Sequence, residues 1–314
     1  MKKRIDWIDI AKGIAIILVV YGHTTLPVII SKAIYSFHMP LFFILSGLLS
    51  NPHKITNVKT FIIGKVHTIV IPYFFFLGVD IVYRYFWNLE INWYDISFGH
   101  IDNAYWFLQV FFVTVVWNAL LVKYLRTTLY VFIILMLYGI SYYMSWCDIH
   151  LPYRLEVVGL SSLFWCTGYY LKQYIKDIEW NLLYCILGIF LTIVTAQVLP
   201  RFDMNSNQHG TFVLNYLLAC WGTTSVIMLS KRINKADRLP ITNKVLLWCG
   251  TNTIVIMGLS QPLNMSVKFI LSSLNLPKII SFGIQHALLW ILLVFLAYTL
   301  NKYLSVLIGK KRKI

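Results

Sequence analysis

Residues 4–49 read RIDWIDIAKGIAIILVVYGHTTLPVIISKAIYSFHMPLFFILSGLL, and this stretch decides the fold. It consists of two apolar runs separated at Pro27, which predicts two membrane-spanning helices joined by a short turn. Three ionisable side chains stand inside those runs: Lys12, His23 and His38. Lys12 and His23 are separated by three helical turns plus roughly 20°, so they share a face at about 16 Å along the axis. An ionisable group in hydrocarbon costs on the order of 3 kcal/mol, so it turns toward a cavity or a partner and marks a candidate site.

The rest of the chain follows the same pattern. Of 314 residues, 59% are apolar and 12% charged, with a mean hydropathy of +0.70, which excludes an ordinary soluble domain. Apolar segments recur to the C-terminus and predict an all-α, polytopic integral membrane protein with about ten transmembrane helices in one domain. The expected spans are 8–28, 33–50, 66–86, 104–122, 127–145, 155–172, 182–199, 211–230, 244–262 and 279–301. The gaps near 51–65, 87–103 and 263–278 are expected to be short loops. The apolar run after MKKR has no small-residue cleavage site, so it is expected to stay as a span. Cys147, Cys166, Cys185, Cys220 and Cys249 have neither metal nor redox spacing, and four of them fall in predicted spans as packing residues.

The formal charge of +15 sorts by loop rather than by patch, which argues against nucleic acid as a partner and for a lipid bilayer. On the side of the N-terminus the loops hold twenty Lys and Arg residues. The opposite loops hold six: Lys32, Arg84, Arg154, Arg201, Lys268 and Lys278. This partition predicts cytoplasmic termini in a cell inner membrane, and an odd number of spans would scramble it. The outer segment 87–103, with Trp87, Trp93, Tyr94, Glu90, Asp95 and Asp102, reads either as an interfacial aromatic belt or as a stacking platform for sugar rings.

Helical rise sets the depths. Counting from Ile8, Lys12 lies about 6 Å in and His23 about 22 Å in, while His38 returns to about 8 Å below the outer boundary. The two imidazoles are therefore expected at nearly one height, with Asp80 close to it. Asp80 has two open readings: an ion pair with Arg84 one turn on, or a carboxylate that fixes an imidazole tautomer. An imidazole suits acyl transfer either as general base or as a covalent carrier. Ser46-Gly47 reads as a close-packing element of small residues. No Gly-x-Ser-x-Gly elbow and no metal-ligand spacing is present, so no metal is expected.

A basic residue, ten residues and then His, followed by Phe37–Gly47 as FHMPLFFILSG, resembles the membrane acyltransferase 3 family, and within it the fucose 4-O-acetylase-like branch. Tyr105-Trp106-Phe107-Leu108 and Lys65 before Ile71-Pro72-Tyr73 are similar to further elements of that branch. The resemblance implies an O-acetyltransferase that moves acetyl from acetyl-CoA, a co-substrate rather than a resident cofactor, to a surface polysaccharide such as O-antigen or capsule, or to its lipid-linked precursor. It makes His23 and His38 the catalytic candidates, and Lys12, Asp9, Lys65 and Trp106 the substrate-binding candidates. The chain departs from the family at Lys12, where Arg is usual, at His67 and Thr68, where basic residues are more frequent, and at Ser260, where His is common. Lys12 has an alternative as a snorkelling residue or a partner of Asp9. A glycan transporter or flippase and transfer to a small acceptor stand as rival functions, although paired broken helices expected of a transporter are not visible in the sequence.

Overall fold

The computed structural model describes residues 4–24, 26–99, 104–175, 177–236, 239–274 and 277–310. The charge partition's Lys2, Lys3, Lys176, Arg238, Lys311, Arg312 and Lys313, and Asp102 of the aromatic segment, lie outside the described residues. The described chain is helical, with a single isolated bridge between Asp203 and Gln208. Six helices among the described residues are long and apolar enough to cross a membrane: Val28–Leu49, Val58–Phe86, Trp106–Tyr124, Thr127–Trp146, Thr253–Ser272 and Ile279–Tyr303.

Helix α1 (Asp6–Gly22) runs away from the N-terminus and stops at Gly22; Pro27, with its fixed φ, caps α2 (Val28–Leu49), which runs back. A continuous rod follows, α3 (Val58–Lys65), a π-helical turn over Val66–Val70, and α4 (Ile71–Phe86). Asn57 starts it by accepting from Thr60 N at 3.0 Å. After the short α5 (Trp93–Phe98) come α6 (Trp106–Tyr124), α7 (Thr127–Trp146), α8 (Val158–Ile175), α9 (Leu182–Val198) and α10 (Leu214–Lys235). The last three are α11 (Pro240–Thr251), α12 (Thr253–Ser272) and α13 (Lys278–Tyr303).

Nine of the ten expected spans coincide with a helix, and the ninth is corrected. Residues 244–262 are not one span: α11 and α12 meet at Asn252, whose side chain accepts from Asn301 Nδ2 at 2.8 Å and Lys310 Nζ at 3.0 Å. The expected loops at 58–65 and 263–272 are helical, and α1 ends earlier than expected, leaving His23 as its cap rather than within its last turn.

Small residues bring helices into backbone contact, as expected where lipid gives no hydrophobic drive to helix association. A Cβ on Gly47 of α2 would lie 2.1 Å from Trp165 O, and one on Gly168 of α8 would lie 2.0 Å from Ile44 O. The same reciprocal crossing joins α1 to α11, where Gly13 meets Leu246 O at 2.1 Å and Gly250 meets Asp9 O at 1.7 Å. Ser46-Gly47 thus packs as its sequence suggests. Between α6, α7 and α8 the contact is polar: Thr114 with Ser161 (2.7 Å), Asn118 with Ser162 (2.9 Å), and Tyr130 OH donating to Asn118 Oδ1 (2.8 Å). The outward faces of α9 and α13 are apolar, with Phe190, Ile291 and Phe295 exposed, which suits a lipid solvent.

Candidate active site

The N-terminal pair α1 and α2 forms the spine of two stacked cavities. The one toward the N-terminal end has a volume of about 300 Å3 and is lined by Lys12 and Ile16 from α1, Ser46 from α2, Lys65 and Ile69 from the rod, and Phe107 and Phe111 from α6. The one toward the far end is much smaller, about 30 Å3, and is lined by His23, Tyr35, His38, Trp106 and Asp203. Phe42 and Met257 line both. A third recess of about 410 Å3 opens on the N-terminal side between Arg4, Trp7 and Lys172, and shares Lys12 and Leu49 with the first cavity.

Each side chain is placed by a local cause. Lys65 closes α3 on the face shared with Phe61 and Ile69, all of which line the cavity; the π-helical turn begins immediately after it. Such single π turns interrupt helices preferentially at functional positions. The Lys65 ammonium lies 5.6 Å from the Phe61 ring centroid. Lys12 Nζ is 3.3 Å from Asp9 Oδ1, and Asp9 Oδ2 receives Arg4 Nε at 2.9 Å. Asp9 is buried; all three line the third recess, and of them Lys12 alone also lines the first cavity. Asp6, by contrast, is exposed.

The far cavity is built from imidazoles. His38 Nδ1 lies 2.7 Å from Ile34 O, so it donates there, which leaves Nε2 with its lone pair. Tyr35 packs edge-on to the same ring, with centroids 5.1 Å apart, and donates its hydroxyl to Gly22 O at 3.2 Å. His23 sits at the end of α1, and its carbonyl accepts from Asn264 Nδ2 at 3.2 Å. Asn264 in turn accepts from Gln285 Nε2 at 2.6 Å, tying the His23 backbone to α12 and α13. Trp106, buried at the start of α6, adds an indole wall.

Asp80 does not join either cavity. Its carboxylate receives Arg84 Nε at 2.9 Å, the ion pair that its spacing allows. In the aromatic segment, Trp93 and Tyr94 are exposed on α5, while Trp87 packs against Phe269 with centroids 4.8 Å apart.

Asp203 is a cavity residue that sequence reading did not single out. It comes from the connection between α9 and α10, where it pairs with Gln208 through two backbone hydrogen bonds of 2.7 and 2.9 Å. Its carboxylate accepts from Asn205 N at 3.1 Å and from Arg201 Nη2 at 3.1 Å, and the Arg201 guanidinium lies 4.9 Å from the Tyr35 ring centroid. Gly210 turns this connection at φ +61°, a conformation that favours glycine, beside Asn215, which holds Thr211 N at 2.7 Å and Pro200 O at 3.0 Å. His209 is buried in the same connection, and burial pushes its imidazole down to about 4. The one signal in the sequence is composition: RFDMNSNQHG gathers turn-forming residues around a single carboxylate. Among the described residues no group of three His, Cys, Asp or Glu side chains has a metal-binding arrangement.

The paired cavities, one cationic and one lined by two imidazoles, suit transfer of a group from an anionic carrier at one end to a nucleophile at the other. No curated protein and no solved structure matches the chain. A family model described as an acyltransferase domain matches residues 5–309, and on that match, from Ile5 to Gly309, the chain belongs to the acyltransferase 3 family.

Proposed function

We propose that this acyltransferase is a fucose 4-O-acetylase-like enzyme of a bacterial inner membrane, which takes acetyl from acetyl-CoA and esterifies a hydroxyl of a surface polysaccharide or its lipid-linked precursor. The observation that carries the reading is the shared wall of Phe42 and Met257. Through it the cavity of about 300 Å3 that holds Lys12 and Lys65, which suits a pantetheine arm, adjoins the cavity lined by the two imidazoles. Lys12 and Lys65 suit the phosphates of the carrier. His38 Nε2, left as a base by the Ile34 contact, suits proton transfer, and His23 lies across the same small cavity.

In direct transfer, an imidazole takes the hydroxyl proton as the oxygen attacks the thioester carbonyl. A C–O bond forms, the C–S bond breaks, and the departing thiolate receives that proton back. In the covalent alternative an imidazole nitrogen first accepts the acyl group, releases the thiol, and then passes the group to the hydroxyl. Asp203 faces His23 from the cavity wall and suits stabilisation of an imidazolium.

The proposal includes ten spans with both termini cytoplasmic. Besides the six long apolar helices, α1, α8, α9 and α10 complete the count, and α11 with α12 makes one broken span. Of those four, α1 and α9 have 17 residues each, while α8 ends in a turn with Lys172 and α10 in one with Arg232 and Lys235. Lys172 Nζ donates to Ser50 O at 2.8 Å, Lys123 Nζ to Ile55 O, and Lys231 Nζ to Ile178 O at 2.9 Å, all at the N-terminal end, in keeping with a cytoplasmic basic face.

The test is the acyl content of envelope glycans from the native host, from a strain lacking the gene, and from that strain carrying wild type or His23→Gln. The reading expects acetyl esters to disappear on deletion, return with wild type, and stay absent with His23→Gln at normal protein level. Unchanged glycan acetylation on deletion would overturn the acceptor class, and full acetylation by His23→Gln would bring the transporter reading forward.

A further inference from the structure

We infer that Phe42 and Met257 form a gate that selects acyl length, admitting a two-carbon acyl group to the imidazole cavity and retarding longer ones; this rests on the acyl-CoA reading above. Among the described residues these two alone line both cavities, so a group passing from the cationic cavity to the imidazoles passes between them.

The gate's two sides differ in stiffness. On α2, His38, Phe42 and Ser46 follow one another at four-residue steps and so lie along one face. His38 lines the far cavity, Phe42 the junction and Ser46 the near cavity. The Phe42 ring is backed by Phe107 at a centroid distance of 5.5 Å, and Phe107 is itself packed on Phe43 at 5.4 Å and Phe111 at 5.0 Å. Four interlocked rings leave that wall little room to give way. Met257 lines the junction from α12, next to Gly258, where a Cβ would lie 2.4 Å from the Phe76 ring. The backbone there is pressed onto α4, so the adaptable part is the unbranched Met257 side chain.

Volume then sets the selection. The cavity past the gate measures about 30 Å3, against about 300 Å3 before it. The far cavity is thus about a tenth of the near one, and it suits the smallest acyl group, the methyl, carbonyl carbon and carbonyl oxygen of acetyl. A longer chain meets Tyr35, Met39 or the gate itself. One methylene too many in such a pocket is discriminated roughly 10- to 200-fold.

The experiment uses membranes of the native host, where the acceptor is present, with the full chain as wild type, Phe42→Ala, Met257→Ala or Phe42→Leu. Radiolabelled acetyl-, propionyl- and butyryl-CoA are supplied separately, and label esterified to glycan is counted. Wild type is expected to use acetyl over butyryl by roughly 100-fold or more. Phe42→Ala and Met257→Ala are each expected to reduce that preference about 10-fold or more, with Phe42→Leu between. If Phe42→Ala does not accumulate, Met257→Ala and Phe42→Leu carry the same comparison. Unchanged chain-length preference in variants that still transfer acetyl overturns the gate and leaves the donor reading standing. Transfer of none of the three labels by wild type overturns the donor reading, and the gate with it.

Discussion

Lys12 offers a prediction whose size follows from its surroundings. Its ammonium lies 3.3 Å from Asp9 Oδ1, and its side chain is 27% exposed to the cavity. A charge-assisted hydrogen bond to a donor phosphate contributes about 1.5–3 kcal/mol, which corresponds to roughly 10- to 150-fold in binding. Asp9 competes for the same ammonium, so the lower end applies, and Lys12→Ala should raise the KM for acetyl-CoA about tenfold. Folding should tolerate the change. Asp9 keeps Arg4 at 2.9 Å, and loss of a partly exposed ion pair costs about 1 kcal/mol or less. Lys12→Arg retains the charge and should stay within a few-fold of wild type. Asp9→Asn frees the ammonium from its competitor and should not raise KM. The assay is thiol release by purified protein over a range of acetyl-CoA, with glycan in excess, at low and moderate salt. The KM gap should narrow as salt rises, because the cavity is open enough for screening. A KM for Lys12→Ala within twofold of wild type at low salt would refute a donor role and leave the Asp9 bridge as the residue's whole purpose.

Other consequences are equally open to measurement. His23→Gln and His38→Gln should each lower transfer by about 100-fold or more with normal accumulation, since an amide keeps a hydrogen bond but takes no proton; activity within tenfold of wild type would remove that imidazole from the chemistry. Gly13→Leu forces side-chain atoms into Leu246 O, 2.1 Å from the first Cβ position, and should lower the thermal midpoint of the purified protein, with a cost of about 1–3 kcal/mol or more; an unchanged midpoint would mean α1 and α11 separate freely. His209, held near 4 by burial, binds its proton less readily folded than unfolded, so stability should fall as pH drops from about 6.5 toward 4, by about 3 kcal/mol in total. Proteolysis of the connection between α9 and α10 should rise over that window, and His209→Asn should flatten the dependence.

The two N-terminal helices were legible because apolar length, Pro27 and the buried ionisable residues all act locally. Rise per residue alone set His23 and His38 at one height, and both line one cavity. The ninth span was not legible because nothing in Gly250-Thr251-Asn252-Thr253 breaks the apolar run strongly. The break is made by tertiary contacts: Gly250 against the Asp9 backbone, and Asn301 and Lys310 on the Asn252 side chain, from a segment 49 and 58 residues away. Asp203 was missed for a related reason. Its connection has no periodicity to read, and its position depends on Arg201 reaching across to Tyr35.

The face of α2 shows where a sequence rule stops short. His38, Phe42 and Ser46 follow one another at four-residue steps, so their common face is available without coordinates, as is the face shared by Lys12 and His23. What the spacing lacks is the second wall. Phe42 and Phe43 are chemically identical neighbours on different faces of the helix; both meet Phe107, and Phe43, at 0% exposure, also packs on Phe111 in the core while Phe42 lines the junction. Met257 falls inside the expected span 244–262, but its place beside Phe42 in the lining of both cavities is set by tertiary packing of α12. A site between helices is legible as far as one helix carries it: the polar-apolar-polar order along α2 already describes the environments met by a group moving from Ser46 to His38, while the width of the passage belongs to the partner helix.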